Sequence, residues 1–462
     1  MTIVRTMTAE TEMAQEDKRK HNSEIRGGEL KINSGITVVI AGTGINLALG
    51  ILYSWSIFKE SIKNAIVAGG EGAFTWNLAS INDPYALACL VFAFTMIPAG
   101  RTQDKFGPRF TAFIGGVLVS MGFMLIASSV NYWVWVLGFG GLVGAGIAFG
   151  YSAATPAALK WFPPNKSGLV AGIVVAGFGL APAYIAPLST YLVGTYGLLH
   201  TMQIFSIAFF IVVSLLSMLL VRPPADYKPE YQSRRCDTQN CKILREAFPH
   251  TDETPQTLLK KRQFWALWLL YFIGAGAGLM VIGSISGLAK LSMGEMAYLA
   301  VAILALGNAC GRVLAGMLSD KFGRKKVLAG VFLFQALLMF GAAYASQSSG
   351  ALLVVLVATL IGFNYGANLA IFPSYTKDLW GMPHFGVNYG MLFTAWGVGG
   401  FVMIKLAEIL KAQSGSFTLS FLVAGCLLLT GVMLTLKLDD HKEEARAALR
   451  EPLDLAAVPI VD

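Results

Sequence analysis

Arg312 and Asn308 are the residues of this sequence whose types and spacing best suit chemistry, and they stand where charge is costly. They lie in ALGNACGRVLAGMLSDKFGRKK, Ala305 to Lys326, whose first half is otherwise small and apolar. Arg312 precedes Asp320 by eight residues, roughly 12 Å of helix at about 1.5 Å per residue. An arginine at the centre of a membrane span costs about 2.5–3.5 kcal/mol on insertion scales, so the position needs a reason. A guanidinium in a central cavity is a carboxylate receptor, because its planar fork can hold both oxygens of one carboxylate. Asn308 is one turn earlier on the same face, and its amide can bind a hydroxyl, a keto group or a second oxygen of the same ligand. The competing reading is snorkelling, with the long side chain reaching the interface.

The elements that must position this pair are apolar. Of 462 residues, 55% are hydrophobic and only 13% charged, and the mean hydropathy is +0.60. That is too little charge to cover a soluble protein of this length. Apolar stretches long enough to span a bilayer recur at roughly 34–58, 82–102, 109–129, 132–156, 167–193, 202–221, 264–289, 296–317, 326–346, 350–373, 386–410 and 417–437. The composition therefore predicts an all-α membrane protein of about twelve spans. The expected organisation is a tail over 1–33, a six-helix half over 34–221, a charged linker over 222–262, a second half over 263–437 and a tail over 438–462. No apolar segment precedes Ile32, which argues against a cleaved signal peptide. Basic residues gather on one side if the spans alternate, which places both termini and the linker in the cytoplasm of a cell (inner or plasma) membrane. The same bias accounts for the net charge of +8 without a nucleic-acid partner. Cys236 and Cys241 fall in the linker with no flanking His or Cys, so no metal or other cofactor is expected.

The sequence also repeats. GRTQDKFGPR begins at Gly100 and GMLSDKFGRK at Gly316, 216 residues apart, and both read G-x-x-x-D-K-F-G. Two related six-helix halves place a substrate site between them near mid-membrane. Shifted by 216, Arg312 falls on Met96 and Asn308 on Phe92. A cation needed only by the scaffold would appear in both halves, so the asymmetry favours function over snorkelling.

These two loops resemble the motif of the major facilitator superfamily, over nearly the whole chain from about 34 to 437. In that family the loop governs conformational switching, which the resemblance carries to Gly100, Asp104, Lys105 and Gly107, and to Gly316, Asp320, Lys321, Gly323 and Arg324. KWFPPNKSGLVAGIVVAGFGLAP (Lys160 to Pro182) and NYGMLFTAWGVGG (Asn388 to Gly400) are similar to stretches of the oxalate:formate antiporter family and the monocarboxylate transporters. Monocarboxylate transporters carry an essential arginine in the eighth span, matched here by Arg312. Many carry an aspartate one turn before it, and Asn308 in that place removes a proton acceptor. Relatives that handle the oxalate dianion carry a lysine in the eleventh span, where this chain has Trp396. One buried cation suits one carboxylate. The resemblance adds Tyr53, Tyr151, Asn364 and Tyr365 as cavity candidates, with packing or interface roles as their alternatives.

The implied function is secondary transport of small monocarboxylates such as lactate, pyruvate or formate, by proton symport or carboxylate exchange. The partners are the substrate, possible protons and the bilayer, and the chain is expected to be monomeric. Two other readings stay open: an oxalate:formate-type dicarboxylate antiporter, and a transporter-like receptor that senses carboxylates. No nucleotide fingerprint or catalytic dyad points to an enzyme.

Overall fold

The structure is a computed structural model that describes residues 34–70, 74–224, 227, 252–293, 297–345 and 351–438. Cys236, Cys241, the tail over 1–33 and all but the first residue of the tail over 438–462 lie outside the described residues. Twelve helices are long and apolar enough to cross a membrane. They are α1 (Ser34–Ala68), α2 (Asp83–Phe106), α3 (Pro108–Ala127), α4 (Tyr132–Leu159), α5 (Ser167–Tyr196), α6 (Leu198–Met218), α7 (Arg262–Met293), α8 (Ala297–Phe322), α9 (Arg324–Ala345), α10 (Ala351–Trp380), α11 (Phe385–Ser414) and α12 (Thr418–Leu436). No strand occurs among the described residues.

Apolar helices stack because each must satisfy its own backbone in lipid, and small residues let the axes approach. Two pairs make most of the contact between the first six helices and the last six: α5 runs along α8, and α2 runs along α11. Around them, α3 packs on α6 and α9 on α12. These outer helices present Phe113, Met121, Ile207, Leu215, Leu337 and Met433 outward, an apolar surface suited to acyl chains.

Several expected boundaries move. α1 continues to Ala68, past the expected end of the first span at 58, because Lys59, Glu60 and Lys63 are good helix formers. α10 runs through Pro373 to Trp380, its freed carbonyl tolerated among packed helices. The repeated motif is also less of a loop than expected. Gly100, Asp104 and Lys105 lie in the last turns of α2, and Gly316, Asp320 and Lys321 in the last turns of α8. Nothing breaks the helix until Gly107 (φ 97°) and Gly323 (φ 96°), each a one-residue turn into the next helix in a conformation that favours glycine. Arg324 already belongs to α9.

Candidate functional site

Arg312 is fully buried, at 0% exposure, so its guanidinium does not snorkel to the surface. Its Nε donates to Asn308 Oδ1 at 2.9 Å. Its Nη1 donates across the bundle to the Val175 carbonyl of α5. Its Nη2 has no hydrogen-bond partner among the described residues. Both partners are neutral. A buried cation with an unused donor is costly, and an acceptor, best an anionic one, would satisfy it. Gly179 on α5 makes room for the pair: an added Cβ there would sit 3.0 Å from Asn308 Oδ1 and 3.1 Å from Arg312 Nε.

Beside Asn308 lies a cavity of about 40 Å³. Tyr53 and Asn308 are its polar lining, Gly179 forms part of one side, and Pro182, Ile282, Leu304 and Ala305 complete an apolar wall. Tyr53 sits in a 3-10 stretch of α1 (Gly50–Ser54). Its hydroxyl lies 2.6 Å from that of Tyr365, and Trp396 Nε1 donates to the same Tyr365 oxygen at 2.9 Å. An indole can only donate, so when Tyr365 donates to Tyr53, the Tyr53 proton is left for a ligand in the cavity.

The structure thus brings Arg312, Asn308, Tyr53, Tyr365 and Trp396 together. Tyr151 joins them through aromatic contacts with Phe178 at 5.6 Å and Phe393 at 5.5 Å. Asn364 is not among the cavity lining: its Nδ2 donates back to Leu360 O at 3.1 Å within α10. The Val175 carbonyl and the wall residues Ile282 and Leu304 were not singled out from sequence. A main-chain acceptor carries no side-chain signature, and one apolar residue in a span looks like another.

The two motif aspartates do equivalent work. Asp320 accepts from the backbone N–H of Gly168 and of Leu169, each at 2.8 Å, at the start of α5. Asp104 accepts from Gly386 N at 3.1 Å and Val387 N at 3.0 Å, at the start of α11. Each carboxylate satisfies free helix N–H groups and faces the positive end of the helix dipole. Each also ties one half to the other, so this face of the bundle is closed. Arg324 reinforces the first clasp by pairing with Asp320 at 2.7 Å and Asp378 at 3.1 Å, and by donating to Ser167 Oγ at 2.7 Å. At the second clasp, Arg222 Nη2 reaches only the carbonyls of Gln103 at 3.3 Å and Asp104 at 3.5 Å. Burial, and then the Arg222 charge, hold the nearby Lys160 ammonium below the usual lysine value, while Asp104 pulls it back up. Lys105 and Lys321 are exposed beside the rings of Phe106 and Phe322.

Comparison with known proteins accords with this architecture. Residues 35–404 and 290–461 match the model of the Major Facilitator Superfamily. The oxalate:formate antiporter of Oxalobacter formigenes is 26% identical over 79% of this chain and 81% of its own length. The apicoplast pyruvate carrier 1 of Toxoplasma gondii is 24% identical over 86% of this chain and 88% of its own. Among solved structures, the proton:xylose symporter XylE superposes with a TM-score of 0.66 at 15% identity, covering 90% of this chain and 99% of that one, a likeness of fold alone. With twelve membrane-length helices, two repeated clasps and a family match over most of its length, the chain belongs to the Major Facilitator Superfamily, whose members are carriers rather than enzymes.

Proposed function

We propose that this carrier moves small monocarboxylates of the lactate, pyruvate and formate class by alternating access, with Arg312 as the carboxylate receptor. The observation that carries the reading is the unpartnered Nη2 of a fully buried arginine whose Nε is held by Asn308, a residue that lines the cavity together with Tyr53. The clasped face is the cytoplasmic one on the distribution of basic residues, which makes the state described here one closed to the cytoplasm of a cell membrane. The two six-helix halves then rock about the site, and a monomer suffices. Transport is by carboxylate exchange or with a proton carried alongside the substrate.

The likeness to an oxalate:formate antiporter favours a second reading, exchange of a dicarboxylate. Against it, Trp396 occupies the position where oxalate carriers place their second cation, and its Nε1 is committed to Tyr365. Uptake of labelled lactate, formate and oxalate into proteoliposomes separates the readings. Lactate or formate should enter and oxalate should not, and Arg312→Lys should abolish entry. Near-normal uptake by Arg312→Lys would sink the assignment of the receptor, and strong oxalate uptake would favour the second reading.

A further inference from the structure

The two clasps are braced differently. Inside the α5/α8 joint, Arg324 supplies a cation to Asp320, Asp378 and Ser167. Shifted by 216, Arg324 falls on Pro108, which has no charge to give. At the α2/α11 joint a cation arrives from further along the chain: Arg222, just beyond α6. Its guanidinium lies against the turn that ends α2. A Cβ on Gly107 would sit 2.7 Å from Arg222 Nη2, and the same nitrogen donates to the Gln103 and Asp104 carbonyls. A cation there complements the negative end of the α2 dipole. The residues around Arg222 are themselves fastened. Trp161 Nε1 donates to the Val221 carbonyl at 2.9 Å, and the Tyr227 hydroxyl donates to the Trp161 carbonyl at 3.0 Å.

The chain that leaves α6 at Arg222 returns before α7 to the other side of the same joint. The Glu253 N–H donates to the Trp380 carbonyl at 3.2 Å, at the end of α10. The Glu253 carbonyl accepts from Nδ2 of buried Asn388 at 2.9 Å. Asn388 directly follows Val387, whose N–H donates to Asp104. We infer that the two ends of the segment between α6 and α7 brace the α2/α11 joint from outside, as Arg324 braces the α5/α8 joint from within. Arg222 positions the last turn of α2, and with it Asp104. Asn388, fastened to Glu253, sets the rotation of the first turn of α11, and with it the N–H groups of Gly386 and Val387 that Asp104 caps. The segment that joins the two halves thereby takes part in closing one joint and leaves the other to its own arginine. This bracing is independent of what Arg312 binds.

The test is hydrogen exchange, which reads local opening, followed by mass spectrometry on the full-length carrier in lipid nanodiscs with no substrate added. Peptides spanning Gly386 and Val387 report the α2/α11 joint, and peptides spanning Gly168 and Leu169 report the α5/α8 joint. Arg222→Ala and Asn388→Ala should each speed exchange at Gly386 and Val387 about three-fold or more, the loss of one hydrogen-bonded brace. Both should change exchange at Gly168 and Leu169 by less. Arg222→Lys keeps a cation at the end of α2 and should restore wild-type exchange within about two-fold. Asp104→Asn already loosens α11, so Arg222→Ala should add little to it, whereas the effects of Arg222→Ala and Asp320→Asn should multiply. The bracing is overturned if Arg222→Ala and Asn388→Ala both leave Gly386 and Val387 at the wild-type rate, if they speed both joints equally, or if Arg222→Lys behaves like Arg222→Ala.

Discussion

α8 against α5 and α2 against α11 are one joint built twice, and their interiors differ. At the clasped end the correspondence is close. A Cβ on Gly316 would lie 2.1 Å from the Gly168 carbonyl, and one on Gly100 would lie 2.1 Å from the Gly386 carbonyl. One turn further in, Gly172 faces the Arg312 carbonyl as Gly390 faces that of Met96, with would-be Cβ distances of 2.3 and 2.4 Å. Both joints therefore bring two backbones into contact and cap a helix with an aspartate. Beyond that they diverge. α8 carries Arg312 and Asn308, whereas α2 carries buried Met96 and Phe92, the latter packed 5.0 Å from Phe393 and 5.3 Å from Trp396. The symmetric part has to open and close in step on both sides. The asymmetric part has to recognise something, and only one joint carries the cation.

The largest expected effect tests that division directly. Arg312→Lys should lower transport about 100-fold or more, since truncating one partner of a buried charge pair costs about 2–5 kcal/mol and lysine lacks the planar fork. Met96→Leu, its counterpart on α2, should leave transport within about two-fold, as volume-conserving core swaps are tolerated. Initial rates of labelled lactate uptake, normalised to protein in the membrane, check both. Equal losses at the two positions would mean that the joints share one structural role and that the arginine has no separate one.

The clasps should differ by less. Asp320→Asn removes a carboxylate that caps α5 and also pairs with Arg324, whereas Asp104→Asn removes a cap without a buried arginine behind it. Asp320→Asn should lower the maximal rate about ten-fold, equivalent to about 1.4 kcal/mol, and Asp104→Asn about three-fold. The half-saturating concentration should move little in either, because both residues act on the exchange between access states. A normal maximal rate with lost affinity would contradict this.

These differences also mark how far the sequence could be read. The twelve spans and the two aspartates were legible because apolar length and a repeated G-x-x-x-D-K-F-G survive in one dimension. Arg312 was legible because a charge in a span is conspicuous, and Asn308 because it lies one turn away. The partners of the clasps were not legible, since Gly168, Leu169, Gly386 and Val387 act through backbone N–H groups that any residue but proline supplies. Nor was the Val175 carbonyl. Tyr53, Tyr365 and Trp396 come from three separate helices, and only the folded bundle joins them into one hydrogen-bonded chain. Asn364, like Asn308 an amide within a span, donates instead to the Leu360 carbonyl of its own helix, a difference that residue type does not carry.

A smaller change sharpens the chemistry of the asymmetric joint. In Asn308→Asp a carboxylate would take the place of the amide that now receives the Arg312 Nε. Ionised, it pairs with the guanidinium and competes with the substrate. Protonated, it resembles the asparagine it replaced. The half-saturating lactate concentration should rise about five-fold at neutral pH, about 1 kcal/mol of competition, and fall back as the pH is lowered. The wild-type amide cannot titrate, so wild type should lack that pH-dependent component. An unchanged pH profile in the variant would place Asn308 outside the binding step.

A last expected effect concerns the empty carrier. The Arg312 Nη1 bonds to the Val175 carbonyl, which lies on the other half of the molecule. Moving the halves apart at this joint breaks that bond and exposes no anionic replacement, so the guanidinium loses a partner as the joint opens. No comparable bond crosses at Met96, whose side chain can neither donate nor hold a charge. A bound carboxylate changes the balance, because it satisfies the guanidinium and travels with it. The loaded carrier should therefore reorient faster than the empty one. The net contribution of one hydrogen bond is about 0.5–1.5 kcal/mol, which corresponds to about two- to twelve-fold in rate. Vesicles preloaded with unlabelled lactate should accordingly take up labelled lactate at least about two-fold faster than empty vesicles at equal pH on both sides. Equal initial rates in loaded and empty vesicles would mean that the Val175 bond does not hold the empty joint closed, and that the asymmetry of the two joints serves recognition alone.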